Sequence, residues 1–411
     1  MNTIIRLKLS IMMFLEFFIW GAWFVTLGTF LGNNLNASGS ETASVFSTQS
    51  WGAIIAPFII GLIADRYFNA EKILGLLHLI GTFLMYQMYQ SEDVSLFYTY
   101  VFSYMILYMP TLALVNSVSF HQMKDPEKEF SNIRVWGTIG WILAGLCISY
   151  IFHWDSAENI SQGLLKNTFL LAGTASLVLG IFSFTLPKTP PKVSTDEKIK
   201  IGDLLGFDAL KLLNDKNFAI FFISSILICI PLAFYYQNAH PFLTQAGIEN
   251  PTAKMAIGQL SEALFLLLIP IFFTRYGFKK TILIGMLAWA IRYVLFAYGN
   301  AGDLSFMLIT GIALHGICYD FFFVSGQIYT NSKAGEKHKS AAQGLITLAT
   351  YGVGMLVGFG VAGWITDNYK AIDGSTNWEL VWIIPAGIAL AVFLLFSLLF
   401  NDKSKKEISS I

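Results

Sequence analysis

Apolar stretches of about 20 residues recur along the chain, and connections that are mostly short and polar separate them. A helix of that length crosses roughly 30 Å of hydrocarbon, so each stretch can span a bilayer. Hydrophobic residues occupy 55% of the 411 positions and charged residues only 13%, which is too apolar for a water-soluble globule. The sequence therefore predicts an all-α membrane protein with twelve transmembrane helices. The predicted spans are 8–31, 45–66, 71–90, 94–120, 132–153, 167–187, 217–239, 254–275, 279–298, 303–328, 340–366 and 379–400.

Lysine and arginine are distributed unequally between the two sides of the membrane that these spans define. The N-terminus, the even-numbered connections and the C-terminal tail carry most of them, whereas Lys166, Lys254 and Lys370 lie on the opposite side. By the positive-inside rule, both termini are expected to be cytoplasmic. Because the basic residues mark orientation and do not line one groove, the pattern argues against a nucleic-acid partner.

One connection is much longer than the others, and six predicted spans lie on each side of it. We expect an N-terminal six-helix bundle at 1–187, a cytoplasmic linker at 188–216, a C-terminal six-helix bundle at 217–400 and a cytoplasmic tail at 401–411. The pair Arg66-Tyr67 recurs as Arg275-Tyr276 at the equivalent place in the second half, which indicates duplication. Two parallel halves of six helices are typical of transporters, with a binding site expected between them near the midplane.

The segment from Gly61 to Arg66, between the second and third predicted spans, resembles the signature of the major facilitator superfamily. The match is partial, because Tyr67 to Glu71 replace the glycine and the second basic cluster expected after it. An acidic residue at a helix end can accept hydrogen bonds from helix termini and so hold one state of a transporter. Asp65 and Arg66 are therefore candidate gate residues, and ordinary interfacial charges are the alternative.

Ionisable residues inside the predicted spans are the first candidates for function, because a charge at membrane depth costs at least about 2.5 kcal/mol. They are Glu16, Arg134, Glu262, Arg292 and Asp320. Glu262 lies near the centre of span eight, one turn from Gln259, and a carboxylate there can bind and release a proton. It is the main candidate for proton coupling, followed by Asp320 and Glu16. We interpret Arg292 as structural, with Asp320 as a candidate partner.

Two sets of residues repeat one geometry, in which a charged side chain shares a helical face with an aromatic ring. The sets, spaced i, i+4, i+7, are Glu16, Trp20 and Trp23 in span one and Arg134, Thr138 and Trp141 in span five. Each set can stack a ring-shaped solute and exchange hydrogen bonds with it. The alternatives are that the tryptophans pack the bundle and that Arg134 reaches to the cytoplasmic interface.

Spans seven and ten add polar groups beside aromatic residues. Gln237 and Asn238 follow two tyrosines in span seven, and an interfacial aromatic belt is the alternative there. His315 and Tyr319 share a face of span ten, and Asp320 is turned about 100° away. His78, near a span end, is interpreted as interfacial. The three cysteines fall in separate spans without metal-ligand spacing, so we expect no metal site and no cofactor other than a coupling proton.

Taken together, these segments resemble the nucleoside:proton symporter family of the major facilitator superfamily, and the bacterial nucleoside permeases in particular. The segments are Trp20 to Trp23, Tyr108 to Leu112, Arg134 to Gly140, Gln259 to Glu262 and Asp320 to Phe322. The resemblance implies a major facilitator fold and proton-coupled nucleoside uptake across the inner membrane by alternating access. It implies nucleoside contacts at Arg134, Thr138, Trp141, Gln259, Glu262, His315 and Tyr319, and an acidic residue at Asp320.

The sequence departs from the familiar permeases at several of these positions. Trp141 and Tyr319 stand where phenylalanine is familiar, His315 where tyrosine is, and Glu16 where glutamine is. A proton-coupled sugar or glycoside symporter of the same fold therefore stays open, as does a membrane-embedded solute sensor. An enzyme is not expected, because the sequence offers no nucleophile–base pair. We expect a monomer whose partners are a nucleoside, protons and lipid.

Overall fold

The chain is described by a computed structural model that covers residues 2–59, 67–191, 207–335, 339–372 and 374–401. Within these ranges it is helical, apart from turns and an isolated bridge between Lys370 and Thr376. The main helices are α1 (Thr3–Gly21), α2 (Gly39–Ile59), α3 (Ala70–Gln90), α4 (Val94–His121), α5 (Ser131–Ile151), α6 (Asn167–Ser183), α7 (Lys216–Gln245), α8 and α9 (251–276 and 278–298, two parts of Pro251–Tyr298), α10 (Ser305–Ala334), α11 (Ala341–Asn368) and α12 (Trp378–Leu399).

The helices overlap all twelve predicted spans, and the predicted all-α membrane fold is confirmed. Among the described residues, eight helices are long and apolar enough to cross a membrane, and one of them is the 48-residue helix that contains α8 and α9. That helix turns at Gly277, whose φ of 73° favours glycine. The prediction of one continuous first span at 8–31 was wrong, because α1 ends at Gly21 and a short helix, Leu27–Asn34, follows.

The chain divides into two compact units. Unit 1 comprises Met1–Ile199 with Glu249–Ala256, and unit 2 comprises Lys200–Ile248 with Ile257–Ile411. The first turn of α8 belongs to unit 1, where one side chain at the end of α5 and one just after it bind its free amides. Thr252 N donates to Asp155 Oδ2 over 3.0 Å, and Ala253 N donates to Ser149 Oγ over the same distance.

Glycines let helices of each unit approach one another closely, near the polar side chains that were predicted to form the site. In unit 1, a Cβ on Gly140 of α5 would overlap Phe14 O of α1 and lie 3.1 Å from Phe18 N. In unit 2, a Cβ on Gly316 of α10 would lie 2.6 Å from Glu262 N of α8. Real Cβ atoms do not come so close, so only glycine permits this spacing. These contacts fix α5 against α1 and α10 against α8.

Candidate functional site

Unit 2 contains a buried cation at Arg292 on α9. Its side chain is fully buried, and Nη1 lies 3.0 Å from Nδ1 of His315 on α10. Its guanidinium carbon stands 3.6 Å from the centre of the Tyr235 ring, a cation–π distance. Within the described ranges no ion pair joins Arg292 to Asp320, and Asp320 Oδ2 has no hydrogen-bond partner there. The predicted Arg292–Asp320 pairing was therefore wrong, because the guanidinium contacts His315 and the Tyr235 ring instead.

The contact with Arg292 fixes the proton on His315. A guanidinium has only donors, so His315 Nδ1 must accept and its proton must sit on Nε2. Nε2 lies 3.9 Å from Oε2 of Glu262, longer than a hydrogen bond and within reach of an ion pair if the ring were protonated. The two contacts require different protonation states. The Arg292 contact determines the protonation state of His315, because it is shorter and both its groups are buried. A neutral His315 therefore presents its Nε2–H on the side of Glu262.

The protonation of His315 can be read directly in protein labelled with 15N at histidine. We expect the His315 nitrogens to show a neutral ring with the proton on Nε2, and Arg292→Met to produce a mixture of both neutral tautomers. Arg292→Lys keeps a donor and should preserve the Nε2–H form. His315→Asn identifies the signal among the six histidines. A wild-type signal from an imidazolium or from the Nδ1–H tautomer would contradict the assignment.

Glu262 is the accessible carboxylate of this cluster, with 31% of its side chain exposed. It interacts electrostatically with Asp320 of α10 and with Tyr236 of α7. Ser261 Oγ donates to Ala313 O and so ties α8 to α10 beside it. Gln259, one turn earlier on α8, is part-buried. Glu262, on α8, therefore interacts with groups on both α7 and α10.

Two further predicted site residues, Tyr319 and Asp320, follow His315 along α10. The Tyr319 ring lies 5.7 Å from the His315 ring, and its hydroxyl bonds the hydroxyl of Tyr351 on α11. Asp320 is 1% exposed and begins a π-helical turn, Asp320–Val324. Such turns widen a helix locally and are frequent at functional sites. The structure thus places the Tyr319 ring beside His315, which lies 3.9 Å from Glu262, and it buries Asp320.

The two predicted amides of α7 are buried. Gln237 is 1% exposed and Asn238 is 3% exposed. Asn238 Nδ2 donates to Thr366 Oγ1 of α11 over 3.1 Å. Asn238 is therefore held by a neighbouring helix in this structure, and a solute would have to share it with Thr366.

In unit 1 the aromatic residues of α1, α4 and α5 form a cluster around Trp20. Its ring lies 5.6 Å from the Trp141 ring and 5.7 Å from the Tyr108 ring, both edge-on. Trp20 and Trp141 are part-buried, so part of each residue remains accessible. Trp23 lies after the end of α1, is fully buried and packs against Tyr104. The predicted common face of span one is therefore interrupted after Trp20.

Arg134 and Thr138 lie on the same helix as Trp141, and both are part-buried. The Arg134 guanidinium carbon is 4.1 Å from the centre of the Phe17 ring. A Cβ on Gly137 would lie 2.7 Å from Arg134 Nη1, so the glycine makes room for the guanidinium. The aromatic contact holds Arg134 against α1.

Two further residues have a role in the structure that the sequence did not predict. His78 was interpreted as interfacial, which was wrong: it is 2% exposed, and its Nε2 lies 2.9 Å from Glu16 Oε2. Arg292 was considered structural, but it sets the tautomer of a predicted ligand. The sequence feature that could have identified His78 is the presence of a histidine inside an apolar helix. The gate candidates Asp65 and Arg66 lie outside the described residues.

In the described ranges, no group of three or more His, Cys, Asp or Glu side chains could hold a metal ion. The chemistry available to these two clusters is hydrogen bonding, stacking on aromatic rings and proton exchange at carboxylates. Those capacities suit a polar ring compound and a coupling proton.

Comparison with known proteins agrees with this chemistry. A family model described as nucleoside H+ symporter matches residues 1–405. The chain is 41% identical to the putative nucleoside transporter YegT of Escherichia coli K12, over 98% of this chain and 95% of that protein. It is 31% identical to the nucleoside permease NupG of Escherichia coli K12, over 97% and 96% of the two chains.

A solved structure extends the similarity to the fold. A crystal structure of the nucleoside transporter NupG matches with a TM-score of 0.89 at 29% identity, covering 97% of this chain and 100% of that one. The sequence and structural similarities both extend over nearly the whole length of the proteins. The chain is a multi-pass membrane transporter and belongs to the nucleoside H+ symporter family.

Proposed function

We propose that the chain imports nucleosides by coupling their uptake to the inward movement of protons, through alternating access. The observation that carries the residue assignment is the cluster in unit 2, where Glu262, His315 and Arg292 lie together on membrane-spanning helices. Glu262 can exchange a proton, and His315 holds a fixed N–H beside it. Coupling a proton to a polar solute requires that binding one changes the affinity for the other, which adjacent groups can achieve.

Nucleosides combine a flat base with hydroxyls and ring heteroatoms. The base can stack on aromatic rings, and the polar atoms need donors and acceptors. We assign stacking to Trp20, Trp141 and Tyr319. Hydrogen bonding is assigned to Arg134, Thr138, Gln237, Asn238, Gln259, Glu262 and His315. Trp23 stays a predicted contact.

We assign proton coupling to Glu262, with Asp320 as the second group. Glu262 is not enclosed by the packing of unit 2, since 31% of its side chain is exposed, and its electrostatic interaction with Asp320 links the charges of the two carboxylates. Protonation of Glu262 would remove a negative charge beside His315 Nε2. Coupling follows if this change alters the relative stability of the inward- and outward-facing states.

The remaining assignments follow from the sequence. We propose that the protein works as a permease and not as an enzyme, as a monomer in a bacterial inner membrane, with no cofactor besides the proton. The basic residues of the even-numbered connections support cytoplasmic termini. Asp65 and Arg66 stay proposed gate residues.

Uptake of labelled uridine into proteoliposomes with an imposed proton gradient tests the proposal. We expect uridine to accumulate, and collapse of the gradient by a protonophore to stop accumulation. Unlabelled nucleosides should compete, whereas sucrose and maltose should not. Competition by sugars alone would favour the sugar symporter of the same fold. Binding of nucleosides without any transport would favour a sensor.

A further inference from the structure

Unit 1 contains a second pair of ionisable groups, separate from the residues assigned above to nucleoside binding in unit 2. Glu16 on α1 is 0% exposed and His78 on α3 is 2% exposed. Glu16 Oε2 and His78 Nε2 lie 2.9 Å apart, a hydrogen-bond distance. Burying both groups is costly unless every polar atom has a partner, so the surroundings of the pair decide what it can do.

Hydroxyl groups from two other helices complete the pair. Thr111 Oγ1 of α4 lies 2.6 Å from Glu16 Oε1. Ser176 Oγ of α6 lies 3.1 Å from His78 Nδ1. Tyr108 OH donates to the backbone carbonyl of Glu16 over 2.7 Å. Four helices of unit 1 therefore meet at one carboxylate and one imidazole.

Each of the two hydroxyls has a second acceptor within reach. Ser176 Oγ also lies 3.0 Å from His78 O, and Thr111 Oγ1 lies 2.5 Å from Tyr108 O. A hydroxyl carries one proton and can also accept, so each can either donate to the pair or accept from it. The geometry thus leaves the proton count of the pair open, and hydroxyl rotation adjusts to it.

Two proton counts satisfy all of these contacts. With one proton on the pair, His78 Nε2–H donates to Glu16, while Ser176 donates to Nδ1 and Thr111 donates to Oε1. With a second proton on His78 Nδ1, the ring donates to Ser176, which turns to His78 O. With that proton on Glu16 Oε1 instead, the acid donates to Thr111, which turns to Tyr108 O. The pair can therefore gain or lose a proton while each of these buried polar atoms keeps a hydrogen-bond partner.

Other ionisable groups face this pair from neighbouring helices. Tyr104 and Tyr108 of α4 interact electrostatically with Glu16, and Arg134 of α5 interacts with Tyr108. Tyr108 is also in edge contact with Trp20, one turn after Glu16. A change in the charge of the pair therefore reaches the aromatic cluster that we assign to nucleoside stacking.

We propose that Glu16 and His78 form a second proton-binding site, which holds one exchangeable proton inside unit 1 and is distinct from Glu262. The ligand of this site is H+ itself. Only the transport readout below rests on the proposed nucleoside uptake. The spectroscopic readout does not, so failure of the two can be told apart.

A pH titration of 15N-histidine-labelled protein in nanodiscs tests the site, with His78→Asn identifying the signal. We expect the 15N shifts of His78 in the wild type to change with pH, either because Nδ1 gains a proton or because the Nε2–H bond to Glu16 weakens when Glu16 gains one. In Glu16→Gln this change should be lost or should occur at a different pH, because the imidazole loses its carboxylate partner. Glu262→Gln should leave it in place. A His78 signal that never changes, or one that titrates identically in Glu16→Gln, would overturn the proposal.

Ser176 gives a milder variant in case replacement of Glu16 prevents folding. Ser176→Ala removes the hydroxyl and should move the His78 transition, whereas Ser176→Thr keeps it and should not. In proteoliposomes, the pH profile of uridine uptake should change in Glu16→Gln. A profile identical to that of the wild type, together with an unchanged His78 transition in Ser176→Ala, would reduce the pair to a structural contact.

Discussion

Replacing Glu262 by glutamine is expected to abolish the accumulation of nucleoside that a proton gradient drives. Glutamine keeps the size of the side chain and an acceptor oxygen, but it cannot exchange a proton. Nucleoside should still bind and exchange across the membrane down its own gradient. For a symport of one proton, each pH unit of gradient is worth about tenfold in the concentration ratio, and this factor should fall to one in the variant.

Two assays on the same proteoliposomes separate loss of coupling from loss of folding. Accumulation of labelled uridine is measured with a proton gradient, and counterflow exchange is measured without one. Glu379→Gln is the matched control, since Glu379 lies exposed in the first turn of α12 and should accumulate uridine like the wild type. A Glu262→Gln protein that still concentrates uridine under the gradient would refute the assignment and transfer the role to Asp320.

The fold was predictable because the bilayer forces helices to satisfy their own backbone groups, so apolar length alone indicates the spans. That Glu262 lies within a span was predictable for the same reason. Its neighbour His315 lies 53 positions along the chain, on another helix, and hydrophobicity does not specify which faces of two helices meet. The prediction that Arg292 pairs with Asp320 was wrong for this reason. Asp320 and His315 are close in sequence, but their side chains point in different directions from α10.

The same limit explains the interpretation of His78. Its hydrogen bond to Glu16 joins α1 to α3, and no spacing within either helix reports the contact. The glutamate in place of the familiar glutamine was the available clue, because a buried carboxylate needs a partner. The break in the first predicted span was missed for a different reason. Residues 22–26 are as apolar as a helix interior, and the turn there depends on tertiary packing.

The close approach of α8 and α10 leads to the second large prediction. A Cβ on Gly316 would lie 2.5 Å from Ser261 O and 2.6 Å from Glu262 N, and both are backbone atoms that cannot rotate away. Accommodating an alanine therefore requires the two helices to separate. Overpacking of this kind typically costs about 1–3 kcal/mol. Glu262 and His315 lie on these two helices, so the 3.9 Å distance between Glu262 Oε2 and His315 Nε2 must increase as well.

We therefore expect Gly316→Ala to lower the melting temperature of the purified protein. We also expect its uridine uptake to fall by about tenfold or more, because a small misplacement of functional groups can lower the transport rate by more than the loss of stability would. Gly360→Ala is the matched control: Gly360 lies on an exposed face of α11 with no atom within 4 Å of an added Cβ. Alanine there should leave uptake unchanged and raise helix stability by up to about 1 kcal/mol. If Gly316→Ala melted and transported like Gly360→Ala, the close contact would not determine the position of Glu262, and the coupling cluster would have to tolerate a wider spacing than its geometry indicates.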